Sequence, residues 1–234
     1  MPRRWICDEP RDRSLQRARR AMTAIGSDSQ AAAAGRRPRV YFVRHGDTEW
    51  SINGRHTGVT DLPLTARGEE EARELAPWLR AIPFTRALTS PRRRARRTCE
   101  LAGLAVADEI EPDLAEWNYG DYEGRRSEDI CQERPGWNIF RDGCPQGESP
   151  AQVSDRADRL IARLGALEGD IALFSHGEFG RVLAARWIGA PVTLGRRFAL
   201  GAASLGILGY DPTHPDTTVI ALWNAVPAFP ANRR

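Results

Sequence analysis

The chain has 234 residues, 41% of them hydrophobic, a formal net charge of +3 and four cysteines. That length suits one large domain or two small ones with a sizeable core. No apolar run approaches the roughly 18 residues of a membrane span, and the polar start lacks a signal-peptide core, so a soluble, cytoplasmic protein is expected.

All 34 basic residues are arginine. Without lysine there is no Schiff-base chemistry through an amine and no lysine-bearing phosphate loop. Any bound anion must be held by arginine, histidine, backbone N–H groups or helix ends. Cys7, Cys99, Cys131 and Cys144 have neither C-x-x-C nor zinc-like spacing, which reads as reduced thiols rather than a metal site or a disulfide framework.

The charge is unevenly placed. Residues 1–38 hold nine Arg against four acids, and residues 39–234 hold 25 Arg against 27. The excess belongs to a basic extension, expected to be disordered over 1–38 because its Ala run and polar flanks have little to bury. Met22 offers a second start within it. A nucleic-acid-binding domain carries its charge on the folded part, so no nucleic-acid partner is expected. The contrary reading, an Arg tail that binds DNA, predicts salt-sensitive binding lost with residues 1–38.

From Arg39 the pattern alternates. "RVYFVRH" predicts a buried strand. "LTARGEEEARELAPWLR" predicts a helix capped by Thr65, with Ala72, Leu75, Ala76 and Leu79 on its apolar face. "FTRALTS" predicts a strand, and "RRRARRTCELAG" a helix closed by Gly103. A short extended piece, "LAVADEIEP", and an irregular aromatic stretch over 117–122 follow. The helix in "GESPAQVSDRADRLIARLGAL" has Ser149 as N-cap, Pro150 at its first position and Gln152 completing a capping box. "DIALFSHGE" is a strand, "FGRVLAARWIG" a helix, and "ASLGILGY" and "TTVIALW" are strands. With no internal repeat or linker, residues 39–234 read as one α/β domain: a three-layer sandwich with helices on both faces of a mostly parallel sheet.

Two histidines share one context. His45 in "YFVRHG" and His176 in "ALFSHG" each follow a strand and precede a glycine. Ligands of open α/β sheets bind beyond the carboxyl ends of the strands. If the two strands lie side by side, both imidazoles face one pocket, with Gly46 and Gly177 permitting close approach of backbone or substrate. Each histidine alone could equally be a satisfied polar residue at a strand end.

"VRHGDTEW", "GRHTGVTDLPLTARG", "SPRRRARRT", "LAEWNYGDYEG" and "FSHGE", in that order, resemble the motifs of the histidine phosphatase (phosphoglycerate mutase-like) superfamily. The details are similar to its broad-specificity acid phosphatase and sedoheptulose-bisphosphatase branches. The resemblance implies the phosphoglycerate mutase-like fold and a metal-independent phosphomonoester hydrolase acting on small phosphorylated metabolites, with no cofactor. His45 is the implied nucleophile, forming a phosphohistidine. Arg44 and Arg94 are the implied phosphate clamp, and His176, if protonated, a third cationic donor. Physical reasoning leaves the choice within Arg92–Arg97 open; the register S-P-x-x-R-A-x-x-T selects Arg94.

Glu116 is the implied general acid and base, its pKa raised beside Trp117 and Tyr119. Without the resemblance it reads sooner as a surface carboxylate beside Asp113, Asp121 and Glu123 than as a catalytic acid. Ser51, Thr57, Gly58, Tyr119 and Gly177 occupy implied substrate-binding positions. Ser51 stands where many members have Asn, so its reach is shorter. Arg55 and His56 face either substrate or solvent, and His214 is assigned no function. Trp117, Trp137 and Phe140 suggest an apolar wall.

The resemblance also bears on mutase activity. Family mutases carry Arg-His after the acid and a lysine beyond; here "WNYGDYEGRR" follows Glu116, which favours hydrolysis. The alternatives in order are sugar bisphosphatase, phosphoglycerate mutase and a non-enzymatic phospho-ligand binder. A homo-oligomer is left open. With the nucleophile supplied by an imidazole, EDTA is expected to leave turnover of an aryl phosphate unchanged, as a phosphate-release assay reads directly.

Overall fold

The computed structural model describes residues 37–104 and 109–227. The extension expected over 1–38 lies, through residue 36 and including Met22, outside the described residues. So do residues 105–108 of the predicted extended piece.

In chain order the elements are β1 (Arg39–Arg44), α1 (Glu49–Ile52), α2 (Ala66–Glu74), α3 (Ala76–Leu79), β2 (Phe84–Thr89), α4 (Arg93–Leu101) and β3 (Glu109–Ile110). Then come α5 (Ser127–Glu133), α6 (Ile139–Asp142), α7 (Pro150–Gly165), β4 (Asp170–Ser175), α8 (Gly177–Trp187), β5 (Leu205–Tyr210) and β6 (Thr218–Ala225). The helix expected over 64–80 breaks at Leu75. Pro77 has no N–H to give and its ring crowds the carbonyl one turn back, so α3 begins afresh with Pro77 in its first turn. Gly103 ends α4 in the left-handed region, φ 77°, where a glycine carries no Cβ penalty. The Ser149–Gln152 capping box is present in full. Helices α5 and α6 had no sequence forecast: each is short and lacks a sustained apolar period.

The sheet order is β3-β2-β4-β1-β5-β6. Strands β3, β2, β4 and β1 run parallel, and β5 and β6 complete one side antiparallel. Alternation along the strands makes two cores. Val40 and Phe42 of β1, with Ile171 and Leu173 of β4, face α7 and α8. Tyr41 and Val43, with Ala172 and Phe174, face the α2, α3 and α4 side. Central strands buried on both faces explain their continuous apolar runs. No described helix is long and apolar enough to cross a membrane.

The β1–β4 register pairs Arg44 with Ser175. His45 and His176 are the next residue on each strand, so they leave the sheet side by side. The loop after β1 then crosses the start of α2. A Cβ on Gly46 would lie 2.2 Å from the Gly68 carbonyl oxygen, and one on Gly68 would lie 2.1 Å from the Asp47 carbonyl oxygen. Gly46 therefore serves backbone against backbone, not substrate approach. Replacing Gly46 by Ala is expected to destabilise the fold by on the order of 1–3 kcal/mol, read as a lowered denaturant midpoint. Gly136→Ala, with nothing within 4 Å of its Cβ position but a φ of 76°, is expected to cost about 1 kcal/mol.

Candidate active site

Three neighbouring strands end at one place. β1 delivers His45, β4 delivers His176, and β2 delivers Ser90, whose amide donates to the Phe174 carbonyl at 2.9 Å. The His45 and His176 rings lie 5.2 Å apart in an edge-on arrangement. His45 Nδ1 donates to the carbonyl of Gly46 at 2.7 Å. That bond assigns the proton to Nδ1 and leaves Nε2 with its lone pair. Burial lowers the His45 pKa well below the ordinary 6.5, and the Arg94 and Arg44 charges push it the same way; the Gly46 bond opposes them.

His176 has the opposite tautomer. Its Nδ1 accepts from Arg94 Nε at 3.2 Å, so the proton sits on Nε2, 2.7 Å from Ser90 Oγ. Both nitrogens are engaged and the ring is fully buried. Burial, then the charge of Arg94, drives its pKa well below 6.5. His176 was expected, if protonated, to be a cationic donor; here its Nδ1 accepts from the guanidinium behind it, which a protonated Nδ1 could not do.

Arg94 is also fully buried. Beyond His176 it donates to the carbonyls of Thr60 (3.0 Å), Thr57 (2.9 Å) and Gly58 (3.4 Å). It holds the 57–60 loop and does not line the cavity in front of His45. Arg93, Arg96 and Arg97 are exposed on α4, in keeping with solvated faces.

That cavity, about 230 Å³, is lined by Arg44, His45, Ser51, Arg55, His56, Thr57, Glu116, Tyr119, Gly177, Glu178 and Arg181, among others. Among the described residues, three buried side-chain polar atoms lack a partner, on Arg44, Thr89 and Arg92. Only Arg44 of these lines the cavity. Its Nη1 donates to the Leu200 carbonyl, and its Nε is buried without a partner. A Cβ on Gly177 would sit 3.3 Å from that guanidinium, so Gly177 makes room for Arg44.

Glu116 enters from the loop after β3 and is 8% exposed, not a surface carboxylate. Its Oε1 accepts from the amides of Trp117 and Phe179, both at 2.8 Å, and its Oε2 from the amide of Glu178 at 3.0 Å. It thus caps the first turn of α8, where two orphan amides favour negative charge. Burial nevertheless raises its pKa, and the Glu178 charge adds to that; the three amides pull the other way.

The remaining expected residues divide. Thr57 and Tyr119 line the cavity, and Tyr119 stacks on His56 at 4.5 Å. Ser51 lines it too, but its hydroxyl serves the α1 capping box, accepting from the Thr48 amide at 2.8 Å and reaching Asp47 Oδ1 at 3.1 Å. Gly58 does not reach the cavity; its amide donates to Glu123 at 2.9 Å, and a Cβ would meet the Trp117 carbonyl oxygen at 2.4 Å. Arg55 and His56 face the cavity. The apolar wall is corrected: Trp117, Trp137 and Phe140 belong to the core on the α7 side, and both Trp N–H groups donate to backbone carbonyls there.

Residues 40–225 match the family model described as histidine phosphatase superfamily (branch 1). The chain belongs to the histidine phosphatase superfamily. Among its relatives, an acid phosphatase of Mycobacterium tuberculosis is 44% identical over 183 residues, covering 75% of this chain and 88% of its own. Sedoheptulose 1,7-bisphosphatase of Saccharomyces cerevisiae is 42% identical over 188 residues, covering 66% and 69%. The solved structure of an open-reading-frame product of Mycobacterium tuberculosis superposes with a TM-score of 0.76 at 38% identity, over 81% of this chain and 98% of that one.

Among the cavity residues of this histidine phosphatase that sequence reasoning missed, two are charged, Glu178 and Arg181. Both lie on α8, three apart, just after the second histidine. That spacing was a usable signal, since i, i+3 side chains share a helix face. The tautomers are open to measurement. Nitrogen-15 NMR at pH 6 is expected to find both buried rings neutral, with the proton on Nδ1 of His45 and on Nε2 of His176; a cationic His176 contradicts the bond from Arg94.

Proposed function

We propose that the protein is a phosphomonoester hydrolase acting on small phosphorylated metabolites through a phosphohistidine on His45. The observation that carries this is the arrangement around one ring. His45 presents an unprotonated Nε2 to a cavity that is also lined by Arg44 and by the buried carboxyl of Glu116.

In the first step Nε2 of His45 attacks phosphorus and the ester oxygen leaves, taking the proton of the Glu116 carboxyl. The products are the alcohol and phosphohistidine. In the second step Glu116, now a carboxylate, accepts a proton from water as that water attacks phosphorus. The imidazole leaves neutral and inorganic phosphate is released. Arg44 holds the phosphoryl oxygens. Arg94 acts from behind as a fixed positive charge that keeps both imidazoles neutral, and His176 positions Arg94 and packs against the nucleophile. Thr57 and Tyr119 shape the leaving-group side.

The raised pKa of Glu116 and the lowered pKa of His45 are what this division requires. A carboxyl acid must keep its proton above the usual carboxylate range, and an imidazole nucleophile must stay unprotonated below the usual imidazole range. The nearest second reading, a sugar bisphosphatase, is favoured by the similarity to the yeast enzyme and by Arg55 in the cavity.

His45→Ala is expected to abolish turnover of an aryl phosphate while circular dichroism stays native; full residual activity refutes the nucleophile. Glu116→Gln is expected to lower kcat by on the order of 10²–10⁴ for an alkyl phosphate, and less for an aryl phosphate, whose leaving oxygen needs less help. The pH profile of kcat/KM has a rising limb as His45 loses its proton, displaced below 6.5. Its falling limb, as Glu116 loses its own, is displaced above 4.5. A rising limb above 6.5 or a falling limb below 4.5 contradicts the assignment.

A further inference from the structure

Among the described residues, five charged side chains line the cavity: Arg44, Arg55 and Arg181 against Glu116 and Glu178. Arg44 serves the phosphoryl group under transfer. Arg55 is exposed at the rim, where solvent and salt screen it. Arg181 is therefore the cation left to meet a second anionic group on the substrate, and it is already engaged. Its Nη1 donates to the Glu178 carboxylate at 2.7 Å and its Nε to the Gly195 carbonyl at 3.0 Å. Its guanidinium also lies 4.7 Å over the Phe140 ring.

Glu178 is equally fixed. It follows Gly177 on α8, its amide holds Glu116 Oε2 at 3.0 Å, and its side chain and that of Arg181 are each 22% exposed. An ion pair this sheltered does not dissolve into solvent as a surface pair does.

We propose that Glu178 is the specificity-determining residue of this site: its carboxylate neutralises Arg181, so the cavity takes monophosphate esters of uncharged, hydroxyl-bearing alcohols and disfavours a second phosphate. This rests on the hydrolase reading above. Carboxylate oxygens accept hydrogen bonds from sugar or polyol hydroxyls. A second phosphate instead brings like charge against Glu178 and finds Arg181 already paired, and selectivity arises from that repulsion as much as from attraction.

The test compares kcat/KM for fructose 6-phosphate and fructose 1,6-bisphosphate, read as total phosphate released. The wild-type protein is expected to favour the monophosphate; a preference for the bisphosphate overturns the proposal with no variant needed. In Glu178→Gln, nearly isosteric but uncharged, the bisphosphate-to-monophosphate ratio is expected to rise at least tenfold. A smaller rise overturns the proposal. Adding Arg181→Gln is expected to remove most of the gain, and a gain that persists undiminished shows that Arg181 is not the group released. Both substrates use the same chemical groups, so any effect of the substitution on Glu116 cancels in the ratio. The hydrolase reading fails separately: a wild-type protein that releases phosphate from neither substrate ends it, with no ratio to measure.

Discussion

The Arg94 guanidinium, fully buried, has no water to face, and a charge in that position must be answered by acceptors built into the fold. They come from two distant stretches. Thr57, Gly58 and Thr60 offer carbonyls, and His176 offers Nδ1. The charges of Glu116 and Asp61 support it at longer range, while burial works against it. One side chain thus ties the loop after β1 to the end of β4. It also sets the tautomer of one imidazole and helps keep the other unprotonated. Its own position follows from α4, which turns Arg94, Ala95, Thr98 and Cys99 inward.

The two carboxylates of the cavity are similarly divided by environment. Glu116 is deep, held by three amides, and shifted upward by burial. Glu178 is shallower and paired with Arg181. They share the first turn of α8, one as acceptor of its amides and one as a member of the helix. An acid that must give and regain a proton is best held where burial and amides oppose each other, since neither protonation state is then strongly favoured. In the mechanism proposed here that balance is what Glu116 contributes.

Much of the fold was legible in the chain. The strands 39–44, 84–89 and 170–175, and the capped helix from Pro150, announced themselves by apolar runs, β-branched residues and a complete capping box. These signals are local, carried by a few adjacent residues. Where the reading departed from the structure, the causes differed. The helix after Thr65 broke because Pro77 outweighed an otherwise good period. The short helices α5 and α6 are held by what packs on them rather than by their own pattern. Trp117, Trp137 and Phe140 were placed on the cavity because aromatics near a candidate acid suggest a wall; their rings in fact fill the space beneath α7 and α8.

The sequence alone determined which chemical groups are available. With no lysine, anions fall to arginine, and two strand-ending histidines, each followed by glycine, mark the carboxyl edge of a parallel sheet. Tertiary structure decided what state those groups are in. The proton positions on His45 and His176 follow from the Gly46 carbonyl and from Arg94, the latter 82 residues away in the chain. Glu116 became an interior acid only because α8 begins against it, its amides meeting the carboxyl from 62 and 63 residues away. The His176 tautomer and the setting of Glu116 depend on distances of about 3 Å between groups remote in the chain, and no local pattern of residues encodes them.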